Sequence, residues 1–144
     1  MMKKFFVFEW NNPIGSKEKP YLIRWRFDFY FFSFRVHKWI CSDDLRAYHS
    51  HPVSFLNIIL KGQYIDHFWN GDKKNPQYKS TIFNPGDFRI VKRDYLHNVE
   101  VTKSPTWTLF IGFNKPKRWG FWLKNTLKKM NRDKYFIENG HHIC

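Results

Sequence analysis

His49-Ser50-His51-Pro52 is followed, one strand's length on, by Leu60-Lys61-Gly62-Gln63-Tyr64. Side chains alternate along an extended backbone, so histidines at i and i+2 point to the same face. Imidazole is the commonest metal ligand at neutral pH, and a pair on one strand face is half of a metal site. By itself the pair reads better as polar residues on a strand edge or turn. Further on stand Asn84-Pro85-Gly86-Asp87, the short segment Phe88 to Val91, and His97 ahead of Asn98-Val99. His97 shares an alternating face with Tyr95, Val99 and Val101, where a lone histidine is ordinarily a hydrogen-bonded core residue.

Taken together, these segments resemble the two motifs of the cupin superfamily. That pattern has an HxH pair, a glycine after the next strand, a PG(D) turn, and a third histidine eleven residues past the turn's glycine. Gly86 to His97 is that spacing, and Gly62 stands where the first motif closes. The resemblance covers roughly residues 35 to 113 and is specific in combination, whereas HxH or PGD singly is weak. One departure stands out. The first motif usually carries a glutamate four or five residues after the second histidine, and here those positions are Phe55 and Leu56.

The resemblance implies an all-β fold, a cupin-type double-stranded β-helix or jelly-roll barrel. It also implies His49, His51 and His97 as metal ligands, a three-histidine face like that of the cysteine dioxygenase branch. Three neutral imidazoles leave open positions on an octahedral ion, which suits iron(II), with manganese, nickel or zinc as alternatives. The expected activity is that of a mononuclear non-haem iron oxygenase acting on a small anionic substrate, with Arg35, Arg89 and Tyr95 as anchoring or catalytic candidates. A non-catalytic binding module and a metal-free sugar- or nucleotide-directed isomerase are the alternatives. The isomerase needs a His–Asp pair, for which His37 with Asp43 or Asp44 is the nearby candidate. His37, the Ser42-Asp43-Asp44 run and Pro105-Thr106-Trp107-Thr108 are similar in texture to single-domain cupins of bacterial and phage genomes.

Composition agrees with a strand-rich chain. In 144 residues, 21% are aromatic and alanine occurs once, at Ala47, which disfavours helices and favours strands. The length suits one two-sheet core. A net charge of +13 favours an anionic partner, or else reflects a lysine-rich proteome. The apolar run after Met1-Met2-Lys3-Lys4 ends at Glu9, too short for a signal peptide, and charges interrupt every aromatic run, so no membrane span is expected. Cys41 and Cys144 are too few for a disulfide framework, and a reducing cytoplasm is the expected compartment.

In chain order, residues 3 to 10 read as a strand and Asn11 to Pro20 as a polar loop. In the next strand Tyr21, Ile23, Trp25 and Phe27 face one way, with Leu22, Arg24 and Arg26 opposite. Asp28 interrupts, and Phe29 to Trp39 follows, with Phe32, Phe34 and Val36 opposed to Ser33, Arg35 and His37. For Arg35 and His37 the expectation is a solvated face rather than a pocket wall. Asp43 and Asp44 read as turn caps or as carboxylates orienting the histidines. Asn70 to Pro76 is a hairpin loop between Tyr64–Trp69 and Tyr78–Phe83. Lys103-Ser104-Pro105 reads as a turn leading into Thr106 to Phe113, where Trp107, Leu109, Ile111 and Phe113 form the expected core face.

Residues 1–114 are thus expected to form the barrel, and 115–144 a basic, aromatic-rich extension packed on it or trailing from it. Between 115 and 134 eight Lys or Arg stand against Asp133 alone. Such a segment suits nucleic acid or an acidic protein, lies on an anionic membrane surface, or covers the barrel with its aromatics while its lysines stay solvated. Exposed strand edges and high aromatic content also suit a homodimer.

Overall fold

The computed structural model of the chain describes residues 6–15, 18–113 and 117–140. Ten strands and one short helix follow in order: β1 (Phe6–Gly15), β2 (Pro20–Phe29), β3 (Phe32–Trp39), β4 (Ala47–His49), β5 (Ser54–Trp69), β6 (Tyr78–Phe83), β7 (Phe88–Val91), β8 (Leu96–Phe113), β9 (Gly120–Leu123), β10 (Lys129–Asn131) and α1 (Arg132–Asn139). All pairings are antiparallel. No helix among the described residues is long and apolar enough to cross a membrane.

Two long strands make the jelly roll. The first half of β5 and the second half of β8 belong to one sheet, ordered β1-β2-β3-β8-β5-β7. Their other halves belong to a second sheet, β6-β5-β8-β4-β9-β10. Both strands bend where the sheets meet, and register shifts run from Ile59 to Tyr64. Gly62 sits there at φ +87°, and a Cβ at this position would lie 2.6 Å from the Thr106 Cα. Thr106 seals the bend, its hydroxyl accepting from the Gln63 N–H at 3.0 Å.

Three expectations change. The segment from Asn11 is not a loop: β1 runs on to Gly15, past a bulge between Glu9 and Asn12, because the ladder to β2 tolerates Asn11 at positive φ. The β2–β3 turn falls at Tyr30-Phe31 rather than Asp28, with Tyr30 at φ +51°. Lys103–Pro105 does not end a strand, since β8 runs through it between the sheets.

The face assignments hold, but their direction is reversed. Along the second half of β8 the buried side chains are Thr106, Thr108 and Phe110, while Trp107, Leu109 and Ile111 are only partly buried. Arg26, Arg35, Phe110, Asn57 and Arg89 are direct cross-strand partners in one row, and this row faces the barrel interior. The predicted core face therefore lies outside, and the predicted solvated face lines a cavity of about 630 Å³.

Around that cavity the core is split into small clusters. Val53, Phe55, Val91 and Phe110 form one and Ile59, Tyr64 and Val99 another. Tyr48, Trp69 and Leu96 fill the second sheet's far end. Residues 117–140 complete that sheet: β9 pairs with β4, and Phe121, Met130 and Tyr135 close over Ala47. Only a small side chain fits beneath the Phe121–Tyr135 stack, whose rings are 4.1 Å apart, and the chain's one alanine sits there. Asn131 caps α1 from just before its first residue, its side chain accepting from the Lys134 N–H at 2.8 Å.

Candidate functional site

β4 and β8 bring the three histidines together. His49 is the direct cross-strand partner of His97, which places their Cβ atoms within about 5.5 Å. His51 follows two residues after His49 as the chain leaves β4. One ligand-type atom from each of His49, His51 and His97 lies within 4.8 Å of the others. The Nε2 atoms of His51 and His97 are 2.7 Å apart. Two nitrogens about 2.1 Å from one ion and at right angles to each other would stand about 3 Å apart, so this spacing is close to that of a shared ligand set.

Two carboxylates stand behind the imidazoles. Asp66, on β5 and 1% exposed, accepts from His97 Nδ1, which leaves His97 Nε2 as the lone-pair nitrogen facing the cavity. Asp66 also takes both arms of the Arg89 guanidinium, at 2.6 and 2.7 Å, and the Tyr95 hydroxyl at 2.8 Å. Burial works against this carboxylate, but His97 and Arg89 outweigh it and hold its pKa well below the usual range. The second carboxylate, Asp43, sits beside His49. Asp43 Oδ2 and His49 Nδ1 are 3.1 Å apart but off the hydrogen-bond line, and neither has an aligned partner among the described residues. Burial lowers the pKa of His49 even though Asp43 opposes it. His51 lies well below its ordinary value through burial and then through the neighbouring His97 and His49. Both are therefore neutral at pH 7, the form that ligates metals.

The structure separates the anchoring candidates. Arg89 lines the cavity, but its fork is committed to Asp66. Tyr95 stacks on Phe68 at 4.7 Å and directs its hydroxyl at Asp66, away from the cavity lining. Arg35 is different. Its Nε donates to Ser33 Oγ at 2.8 Å and its guanidinium lies 4.7 Å over the Phe110 ring. No carboxylate among the described residues forms an ion pair with it. Burial, followed by repulsion from Arg26 and Arg24, brings it down to about 10, so it is still charged at neutral pH. Glu9 is shared by Arg24 (2.6 Å) and Arg26 (3.2 Å), and Arg26 also pairs with Asp28, so three guanidinia face two carboxylates on this wall. His37, on the same face, is neutral through burial and its Nε2 has no partner among the described residues.

Sequence reasoning missed the part played by Asp66. Alternation shows only that Asp66 shares a strand face with Tyr64 and Phe68, and the β5–β8 register is what sets it behind His97. The His37–Asp pairing does not form: Asp43 lies beside His49, while Asp44 holds Arg46 and Tyr135. Both aspartates also cap locally, Asp43 accepting from the Asp44 N–H and Asp44 from the Arg46 N–H.

Comparison with solved structures identifies the architecture. Hydroxypropylphosphonic acid epoxidase from S. wedmorenis superposes with a TM-score of 0.53 at 16% identity, over 74% of this chain and 59% of that one. An FeII form of HppE gives 0.57 at 13% identity over 78% and 59%. Bacillus subtilis oxalate decarboxylase, studied for its Mn(II) centres, gives 0.57 at 16% identity over 75% and 29%. The fold is a cupin-type jelly roll. The chain spans about three-fifths of the epoxidase structures' length (59%) and less of the decarboxylase's (29%). No family model matches the sequence, and no curated protein does.

Proposed function

We propose that His49, His51 and His97 hold one divalent cation, and that this cupin acts as a mononuclear non-haem iron oxygenase on a small organic anion. The carrying observation is the convergence of three imidazoles, His97 buried and His49 and His51 largely so, on one wall of the cavity between the curled sheets. An ion held by His49, His51 and His97 would supply Lewis-acid and redox chemistry to a substrate in the cavity. The FeII of HppE and the Mn(II) centres of oxalate decarboxylase, two similarly folded proteins, support a divalent ion without choosing among iron, manganese, nickel and zinc.

The chain's own residues do the rest. Asp66 fixes the His97 tautomer, and Arg89 and Tyr95 fix Asp66. Phe55 and Phe110, stacked at 4.1 Å, keep the wall between His51 and Arg35 apolar. The uncommitted Arg35 fork takes the substrate's anionic group, and the surplus of guanidinia around it draws anions in.

A second reading rests on the His97–Asp66 pair and the 2.7 Å His51–His97 contact, which would also serve a metal-free general base. Metal content measured by plasma mass spectrometry on untagged protein separates the two. About one ion per chain in the parent, lost in His49→Ala and His97→Ala, is expected. No ion after reconstitution with iron, manganese, nickel or zinc overturns the oxygenase and leaves the general base. A non-catalytic role through residues 115–134 has less support. Phe121 and Met130 are buried, and Lys129 covers the Trp122 ring at 5.1 Å, which leaves few free faces for base stacking.

A further inference from the structure

On the second sheet, Ser80, His67 and Glu100 stand in a hydrogen-bonded line on the side away from the three-histidine cluster. Asp66 and His97 occupy the inward positions of β5 and β8, so alternation turns His67 and Glu100 outward. Ser80, on β6, is the direct cross-strand partner of His67. Glu100 lies diagonally across on β8, two residues past Asn98, the other partner of His67. His67 Nε2 is 2.7 Å from Glu100 Oε2, and its Nδ1 is 2.8 Å from Ser80 Oγ. A carboxylate can only accept, so Glu100 takes the Nε2 proton and leaves the Nδ1 lone pair to accept from the serine hydroxyl. That tautomer is the one a general base needs to activate an alcohol nucleophile.

Ser80 is exposed, and a recess of about 240 Å³ opens beside it, lined also by Leu45, Tyr48, Tyr78, Lys79 and Lys124. The Tyr48 and Tyr78 rings stack at 6.3 Å, and the Lys124 ammonium lies 4.9 Å over Tyr48. The volume is below the roughly 300–1,000 Å³ of a drug-sized pocket and suits a short acyl chain laid on these rings. A donor for a developing oxyanion is also in place. Among the described residues β6 pairs with β5 alone, so its other edge is open. The Asn70 N–H donates to the Gln77 carbonyl at 3.0 Å, in the register of the β5–β6 ladder. Bonded and non-bonded pairs alternate along such a ladder, which makes His67–Ser80 a non-bonded pair and turns the Ser80 N–H to the open edge. There, on the nucleophile's own residue, it can donate to the oxygen of an attacked carbonyl, and Lys79 and Lys124 add positive charge nearby.

We infer that Ser80 and His67, with Glu100 positioning the imidazole, form a second, metal-independent catalytic site that hydrolyses short-chain carboxylic esters through an acyl-serine. Ser80 Oγ bonds to the ester carbonyl carbon while its proton passes to His67 Nδ1. The tetrahedral adduct then breaks its C–O bond to the alcohol, which leaves with the Nδ1 proton. Water adds to the acyl-serine and gives a proton to Nδ1. That proton returns to Ser80 as the C–Oγ bond breaks and the carboxylic acid departs. Water is the sole co-reactant, and nothing is oxidised or reduced. Glu100 keeps the imidazole in register at each transfer, and at 42% exposure its charge is partly screened, so its share is smaller than that of a buried carboxylate.

Two readouts on the full chain test the inference. Diisopropyl fluorophosphate, which traps an activated serine with loss of fluoride, should add to Ser80 at neutral pH, located by peptide mass mapping; this needs no variant. Steady-state hydrolysis of p-nitrophenyl acetate, corrected for the protein-free rate, should fall at least about 100-fold in Ser80→Ala and His67→Asn, the lower end of what a positioned base contributes. Glu100→Gln should lower kcat about 10-fold with KM unchanged, because it disturbs the tautomer and not the recess. Dialysis against EDTA should leave the adduct and the hydrolysis as they were, so this site and the metal centre proposed above stand or fall separately. A folded parent with no adduct on Ser80 overturns the inference. So does an adduct formed as fast in His67→Asn, turnover that survives Ser80→Ala, or loss of both readouts with EDTA.

Discussion

Asp66→Asn removes one charge and keeps the shape, and the cost should be large. Asp66 is 1% exposed and gathers the Arg89 fork, the Tyr95 hydroxyl and His97 Nδ1. The Arg89 side chain is only 15% exposed, so the substitution strands a buried guanidinium. Breaking one partner of a buried pair costs about 3–5 kcal/mol. At roughly 2.1 cal/mol/K of unfolding entropy per residue, a chain of this size should melt about 10–17 °C lower. The Phe83 and Tyr95 rings, 4.5 and 5.4 Å from the guanidinium, favour the lower end. Calorimetry at neutral pH, with metal removed from all samples, isolates this term. Asp66→Leu with Arg89→Met takes away both charges and should recover at least half the loss, since an apolar replacement of a buried pair is often near neutral. In the reconstituted protein, Asp66→Asn should also weaken metal binding about 10–100-fold, because His97 loses its orienting acceptor. A melting shift under about 3 °C, or a double variant no better than the sum of the singles, would refute the account of Asp66 as the hub that holds His97.

Other consequences can be checked independently. Arg35→Met should leave metal content unchanged and reduce binding of small carboxylates or phosphonates to the metal-loaded protein about 10–100-fold by isothermal titration, as expected for losing a charge-assisted bond; unchanged affinity removes Arg35 as the anchor. Gly62→Ala should cost at least about 1–2 kcal/mol for positive φ alone, and more because its Cβ would meet Thr106 at 2.4 Å; denaturant unfolding reads it. For Asp44, burial raises the pKa, but hydrogen bonds from Arg46 and the Tyr135 hydroxyl outweigh it and set the folded value below 3.8. The unfolded state therefore binds the proton first, so this stabilisation is complete above the ordinary carboxylate range and is lost as pH falls through the folded value. The stability gap between the parent and Asp44→Asn should shrink on acidification below about pH 4; a constant gap contradicts the assignment.

Much of this was legible in the sequence because it depends on local rules. Period-two alternation placed Arg35 with His37 and His49 with His51, and Gly62, Asn70-Gly71 and Pro85-Gly86 marked the bends. Other features depend on pairing over long sequence separations. Asp66 acquires its role from a β5–β8 register joining residues 31 apart, and no spacing rule in one strand shows that. The Tyr30-Phe31 turn lacks a glycine or asparagine, so the aromatic run from Phe29 to Phe34 masked it.

The reversed faces follow from what the barrel interior must do. A site with three imidazoles, two carboxylates and several guanidinia needs polar positions facing inward, and the direct-partner row Arg26, Arg35, Phe110, Asn57, Arg89 supplies them. Alternation then forces the apolar residues of the same strands outward, whatever their hydrophobicity. A sheet whose inner face is given to chemistry cannot bury its Phe and Trp residues in its own core, which is why the described core breaks into four small clusters. The polar cavity and the aromatic exterior are thus two sides of one alternating pattern.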